Sequence, residues 1–533
     1  MSEISLYDTT LRDGAQMEGI SLSVEDKLKI AERLDLLGVE FIEGGWPGAT
    51  PKDDIFFKEV KSLNLVNSSI VAFGSTRRAG SSVSTDPQIQ ALISSGAPVV
   101  TIVGKASLSQ VETVLETSTE ENLSMIKETI EYLKTHSIRV IFDAEHFFDG
   151  FAENPEYALK CVSVAAQSGA EYVVLCDTNG GTLPVDVFNA THRVVREVGN
   201  LVGIHCHNDS DVAVANSIAA VQAGAKQVQG TINGYGERCG NTNLLSVIAN
   251  LKLKIGIDCV SDEQLSHLTD VHRFVSEIAN MPRSRYQAFV GDSAFSHKGG
   301  LHASAMAKDE DSYQHVDPAM VGNNSHILVS ELSGKGNIAT KLHEMGLDSN
   351  VFGDHLTNLA KLVKEKEAEG YQYEGADASF RILAERVLPY YSAPFELVDL
   401  LVVMEKGRRV QSDNLENNAL TEAMVKVRVG EHLAHTVAEG NGPVNALDHA
   451  LRRALEQYYP ELKSITLTDF KVRVVEQAKD GTGAVVRVLV ESSDGERVWS
   501  TVGASPNIIE ASWQALSDSI EYALLTHQSD SQN

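Results

Sequence analysis

Eight short apolar runs, each followed by a helical pattern, constrain this chain more than any other feature it carries. The runs fall at 4–8, 39–43, 69–73, 99–103, 139–145, 172–177, 202–207 and 227–233. Strand–helix alternation implies parallel strands covered by helices. About eight such units predict a closed (β/α)8 barrel over an open sheet. A Gly-Ala or Gly-Val pair precedes several of the runs, as at Gly38-Val39, Gly96-Ala97, Gly169-Ala170 and Gly224-Ala225. In the first unit Ser23 is the expected helix N-cap and Gly38 the expected stop.

With 533 residues the chain exceeds one ordinary domain. Residues 1–278 hold the predicted barrel, and 279–394 form a helical linker region. An α+β module is expected over 395–526. Within it, 441–455 resembles 505–516, so two similar ββα halves are expected, serving either ligand binding or dimerisation. The tail 527–533 reads as disordered.

Polar residues recur at the carboxyl ends of the runs: Asp8, Glu43, Lys105, Glu145, Asp177, His205, His207 and Asn233. That rim is where such barrels carry their active sites. His205 and His207 are two apart on a strand, so their side chains share a face. Asp13, just after the first strand, supplies a carboxylate. Two imidazoles and one carboxylate leave coordination positions open, as a catalytic ion requires. Mixed nitrogen and oxygen donors suit Mn²⁺, Mg²⁺, Co²⁺ or Zn²⁺ without choosing among them. The competing reading makes both histidines hydrogen-bonded core residues.

Other candidates carry two readings each. Asn241 belongs to the metal site or caps the helix before Leu244. Arg12 stabilises an oxyanion or forms an ion pair with a rim carboxylate. Glu145 positions water or a substrate group, or pairs with Arg12. Thr178 hydrogen-bonds a substrate oxygen or closes a turn. His297 and His302 flank a glycine pair in a loop outside the barrel, where histidine suits acid/base work near neutral pH.

Composition sets outer limits. A formal net charge of -28 argues against nucleic acid or an anionic membrane as partner. The five cysteines form no C-x-x-C pair, which fits a reducing compartment. No apolar stretch is long enough to span a bilayer, and the amino terminus passes directly into a strand-like run. A cytoplasmic protein is the expectation.

The opening Leu6-Tyr-Asp-Thr-Thr-Leu-Arg-Asp-Gly-Ala-Gln16 resembles the signature of the DRE-type metal-dependent barrel lyases and Claisen-condensing synthases. His205-Cys-His207 and Gly236-Glu-Arg-Cys-Gly-Asn-Thr-Asn243 match the same superfamily. Over nearly its whole length the chain is similar to the isopropylmalate/homocitrate/citramalate synthase group. Its carboxyl-terminal module is similar to the allosteric domain of isopropylmalate synthases. The Gly44-Gly-Trp-Pro-Gly48 loop resembles that of the long-type citramalate synthases, and Trp46 near the rim would restrict the pocket to a small 2-oxo acid.

The resemblance implies an acyltransferase that condenses acetyl-CoA with pyruvate to (R)-citramalate and CoA. That is the first step of a threonine-independent isoleucine route. It further implies Gln16, Glu43, Thr178 and Arg12 at the substrate, and Asp13, His205, His207 and Asn241 at the metal. A homodimer is implied in which His302 reaches the partner's site, with a branched-chain amino acid such as isoleucine as effector. The group's downstream tyrosine has no clear counterpart near Val321–His326. The alternatives are 2-isopropylmalate synthesis from 2-oxoisovalerate and a related metal-dependent carbon–carbon lyase.

Overall fold

The computed structural model describes residues 4–199, 202–297, 302, 305–306, 309, 312–327, 335–405, 420–475 and 483–530. It divides into two compact units, Met1–Phe295 with His315–Ser325, and Ser296–Gln314 with His326–Asn533.

The first unit is a closed barrel whose eight parallel strands pair in chain order. They are β1 (Ser5–Asp8), β2 (Phe41–Gly45), β3 (Ser69–Ser75), β4 (Val99–Lys105), β5 (Arg139–Glu145), β6 (Tyr172–Asp177), β7 (Val202–Cys206) and β8 (Gln227–Gly230). β8 closes on β1, with Ser5 opposite Gln227 and Asp8 opposite Gly230. The predicted boundaries of the first helix hold. Ser23 and Asp26 form a reciprocal capping box on Val24–Leu37, and Gly38 ends that helix at φ 85°.

Alternation along the strands sorts the side chains. Tyr7, Phe41, Val71, Val99, Ile141, Val174 and Cys176 pack together as one cluster inside the barrel. Residues two further along β2, β3 and β5 face the same lumen nearer its carboxyl rim. These are Glu43, Phe73 and Asp143. The opposite faces of the strands meet the helices in the main core, through residues such as Leu6, Ile42, Val100, Phe142 and Ile204.

The second unit opens with a short parallel pair, β9 (Ser296–His297) and β10 (His326–Ile327). Helices Lys335–Glu344, His355–Ala368 and Asp377–Arg386 follow. Ile338, Leu342, Phe352, Leu359 and Phe380 form the core that holds this helical part together. Two three-stranded antiparallel sheets come next: β11 (Glu396–Glu405), β12 (Leu420–Val429) and β13 (His432–Gly440), then β14 (Thr466–Val474), β15 (Val486–Ser493) and β16 (Val498–Ser505). Each sheet leads into a helix, Pro443–Leu455 and Ile508–Asp530.

The halves are therefore βββα, one strand more than the sequence repeat predicts. The similarity lies mostly in the helices. The extra first strands, β11 and β14, are largely exposed and carry no clean burial alternation. The same tie recurs in both halves: Thr436 Oγ1 donates to Ala450 O and Thr501 Oγ1 to Ala515 O, each at 2.7 Å. The expected disorder from residue 527 is corrected, because the last helix continues to Asp530. Among the described residues no helix is long and apolar enough to cross a membrane.

Candidate active site

Asp13 lies in the loop after β1, and that loop is pinned from below. Thr10 donates its N–H and Oγ1 to Asp8 at 2.9 and 2.8 Å, while Ile232 N donates to Thr10 Oγ1 at 2.8 Å. Asp8 is thus committed to the loop, and burial raises its pKa to about 7. Asp177 serves the turn after β6 by accepting from Thr182, and Asn233 binds His272 and Ser276. Three of the eight polar rim residues therefore hold loops in place.

The loop delivers Arg12 and Asp13 over the lumen. Arg12 Nε donates to Glu43 Oε1 at 2.5 Å, and its Nη1 lies 3.2 Å from Asp13 Oδ2. Glu43 is fully buried and also accepts from Tyr7 and from Thr9 Oγ1, the latter at 2.6 Å. The guanidinium lies 3.8 Å over the Phe73 ring, which meets Trp46 edge-on at 5.2 Å. Trp46 Nε1 in turn donates to Gln88 at 2.6 Å. Arg12 is held on one side by a carboxylate and on the other by an aromatic wall.

Asp13, His205 and His207 converge, with candidate donor atoms all within 4.8 Å of one another. His205 Nε2 is 3.6 Å from Asp13 Oδ2. A backbone bridge pairs His207 with Asn241, and Gly236 permits the approach. Gly236 has φ +154°, and a Cβ there would meet Asn241 Nδ2 at 2.1 Å. Asn241 donates to Tyr235 O, while its Oδ1 and His207 Nδ1 are buried with no protein partner. The helix cap is Asn243, whose side chain accepts from Leu245 N, so the capping reading of Asn241 is corrected.

Charge completes the donor set. Burial lowers the pKa of His205, and burial with the neighbouring His205 lowers that of His207 to about 4. Both imidazoles are neutral at pH 7. Burial alone would raise Asp13, but Arg12 and the two histidines outweigh it and lower it. Two neutral imidazoles, one with an unpaired Nδ1, and an ionised carboxylate, beside the unpaired Asn241 Oδ1, are what a divalent cation needs. The residues present fit such an ion.

The remaining candidates lie elsewhere. Glu145 pairs with Lys105 at 2.5 Å across β4 and β5, so the expected pairing with Arg12 goes to Glu43 instead. Thr178 Oγ1 accepts from His146 N at 2.8 Å and so supports a left-handed turn at φ 56°. Gln16 is exposed in the short turn Gly14–Gln16. His302 belongs to the second unit, is exposed, and stacks on Tyr313 at 4.2 Å.

Sequence reasoning passed over Asp143 and Gln229, both buried in the lumen. Asp143 sits two residues before Glu145, so strand periodicity alone places it on the same face. Burial and the nearby Glu43 raise its pKa well above the ordinary carboxyl value. Gln229 sits opposite His205 in the β7–β8 register, a relation visible only once the strands are paired.

The HMGL-like family matches residues 3–275, the homocitrate synthase post-HMGL domain-like family 289–370, and the LeuA allosteric (dimerisation) domain 374–524. The (R)-citramalate synthase of Aquifex aeolicus is 51% identical over 529 residues, covering 99% of each chain. That of Geobacter sulfurreducens is 49% identical over 530 residues, again covering 99% of both. The 2-isopropylmalate synthase of Methanocaldococcus jannaschii is 30% identical, covering 98% of this chain and 95% of its own.

Proposed function

This chain belongs to the HMGL-like family, and from that membership we propose that its barrel condenses acetyl-CoA with pyruvate and water to give (R)-citramalate and CoA. The observation that carries the reading is the buried Asp13, His205 and His207 set beside Arg12 at the barrel's carboxyl rim. The enzyme is a metal-dependent acyltransferase, and the match to a dimerisation domain supports a dimer.

Asp13, His205 and His207, with Asn241 beside them, would hold a divalent cation, which would supply Lewis-acid polarisation of the 2-oxo acid's ketone. The protein's own groups do the rest. A base takes a proton from the acetyl methyl, and the enolate carbon attacks the ketone carbon. Arg12, fixed by Glu43 and Phe73, stabilises the negative oxygen that results. His302 is the proposed base, carried by the 279–394 segment of the partner subunit, with Tyr313 stacked on its ring. Thr178 and Gln16 position the 2-oxo acid. Glu145, oriented by Lys105, holds the water that cleaves the thioester. Trp46, through Phe73, limits the acid's side chain.

A CoA-release screen tests the reading. Pyruvate should exceed 2-oxoisovalerate in kcat/KM by at least roughly 10–200-fold, the discrimination a single methylene permits, since the two acids differ by two carbons. Preference for 2-oxoisovalerate would turn the assignment to isopropylmalate synthesis. Chelation should abolish release, and adding back Mn²⁺, Mg²⁺, Co²⁺ or Zn²⁺ singly identifies the ion.

Isoleucine is the proposed effector, in a cytoplasmic enzyme that opens an isoleucine route. A cavity of about 550 Å³ between the Pro443–Leu455 helix and β14 supports it, lined by Asp448, Arg452 and Lys463 together with Leu462 and Phe470. Charges of both signs beside apolar walls suit an apolar amino acid. Titration of isoleucine into the full-length enzyme should depress CoA release, and unchanged rates would reject the effector.

A further inference from the structure

His205 can bind an ion through Nε2 only if its proton resides on Nδ1. Its Nε2 already faces Asp13. Its Nδ1 lies 3.0 Å from Gln229 Oε1, and an amide oxygen can only accept. The amide's own orientation is set across the lumen, where Gln229 Nε2 donates to Asp143 Oδ1 at 3.1 Å. Either protonation form of that carboxyl presents an oxygen that accepts. The three residues come from β7, β8 and β5, and each is at most 5% exposed, so water does not compete for these bonds.

We propose that Gln229, oriented by Asp143, is a positioning residue that fixes His205 in the Nδ1–H tautomer and so presents an unprotonated Nε2 to the cation. The inference rests on the metal reading above but concerns affinity, not turnover. An imidazole held in one tautomer loses nothing to reorientation when the ion arrives, and its Nδ1–H bond makes Nε2 a better donor. Gln229 has no second role in view, because both ends of its amide are used in this relay.

The test is Mn²⁺ affinity by calorimetry and the Co²⁺ absorption spectrum in the full-length protein, beside a melting curve for each variant. Gln229→Leu should weaken Mn²⁺ binding by about 10–100-fold. The Asp143→Asn/Gln229→Glu double variant lets an amide donate to a carboxylate that accepts from His205 Nδ1, and it should restore both affinity and spectrum. Affinity within twofold of wild type in Gln229→Leu, or no recovery in a folded double variant, overturns the proposal. If the variants do not fold, ¹⁵N shifts of His205 in the metal-stripped wild type decide. Pyrrole-type Nδ1 with pyridine-type Nε2 supports the proposal, and the reverse overturns it. A wild type that binds no Mn²⁺ refutes the metal reading itself, and this inference with it.

Discussion

Among the arginines that face two carboxylates, Arg12 and Arg386 differ in their surroundings, and the difference separates a candidate site from a strut. Arg12 in the barrel meets Asp13 and Glu43; Arg386 in the second unit meets Asp518 at 2.9 Å and Glu521 at 2.8 Å. Around Arg386 each carboxylate oxygen has a protein partner. Ser379 Oγ donates to Asp518 at 2.7 Å and itself accepts from Val502 N, while Tyr391 donates to Glu521. Around Arg12 the neighbouring His207 Nδ1 and Asn241 Oδ1 have no protein partner. Similar ion-pair chemistry therefore braces a module in one place and borders the candidate ion site in the other. Convergent groups with spare bonding capacity make the difference.

Substituting Arg12 tests the contrast most severely. Arg12→Met should lower kcat by about 10²–10³, the cost of losing a donor to a developing oxyanion. It should also destabilise the barrel by about 3–5 kcal/mol, because Glu43 stays buried without its counter-charge. Steady-state kinetics and chemical denaturation read the two effects separately. An undiminished kcat would reduce the barrel cluster to a second strut.

Arg386→Met should cost stability without touching chemistry. The expected loss is about 3 kcal/mol, at the low end for a broken buried pair because water reaches the open side of Arg386. CoA release below the melting transition should stay within about twofold, a change no larger than roughly 0.4 kcal/mol. A raised KM for pyruvate would show that this cluster communicates with the site.

The smallest effect depends on pH. Burial raises Asp518 from its ordinary value to about 6, so the folded chain holds that proton more tightly than the unfolded one. The resulting stabilisation is complete below about pH 4 and fades as pH rises through 6. Wild type should thus lose on the order of 2 kcal/mol relative to Asp518→Asn between pH 4 and 7. A flat difference would mean that Arg386 already holds Asp518 ionised throughout.

Legibility in the sequence followed the range of the interaction. The eight strands, the Ser23 cap and the Gly38 stop were readable because each is set by a few adjacent residues. Asp13, His205 and His207 were readable because their spacing and position beyond strand ends imply a shared face. Asn241 was ambiguous, since two asparagines precede the same helix start and only Asn243 bonds to it. The extra strands of the βββα halves escaped because their exposed residues carry no clear alternation.

By itself, then, the chain's order of residues determined the barrel and pointed to its candidate ion-binding side chains, since both follow from local pattern and from position at strand ends. Only the closed tertiary structure decided that Arg12 joins Glu43 while Glu145 joins Lys105, and that Gln229 bridges His205 to Asp143. Which side chains meet across a lumen depends on the stagger with which the strands close, and no single strand encodes it.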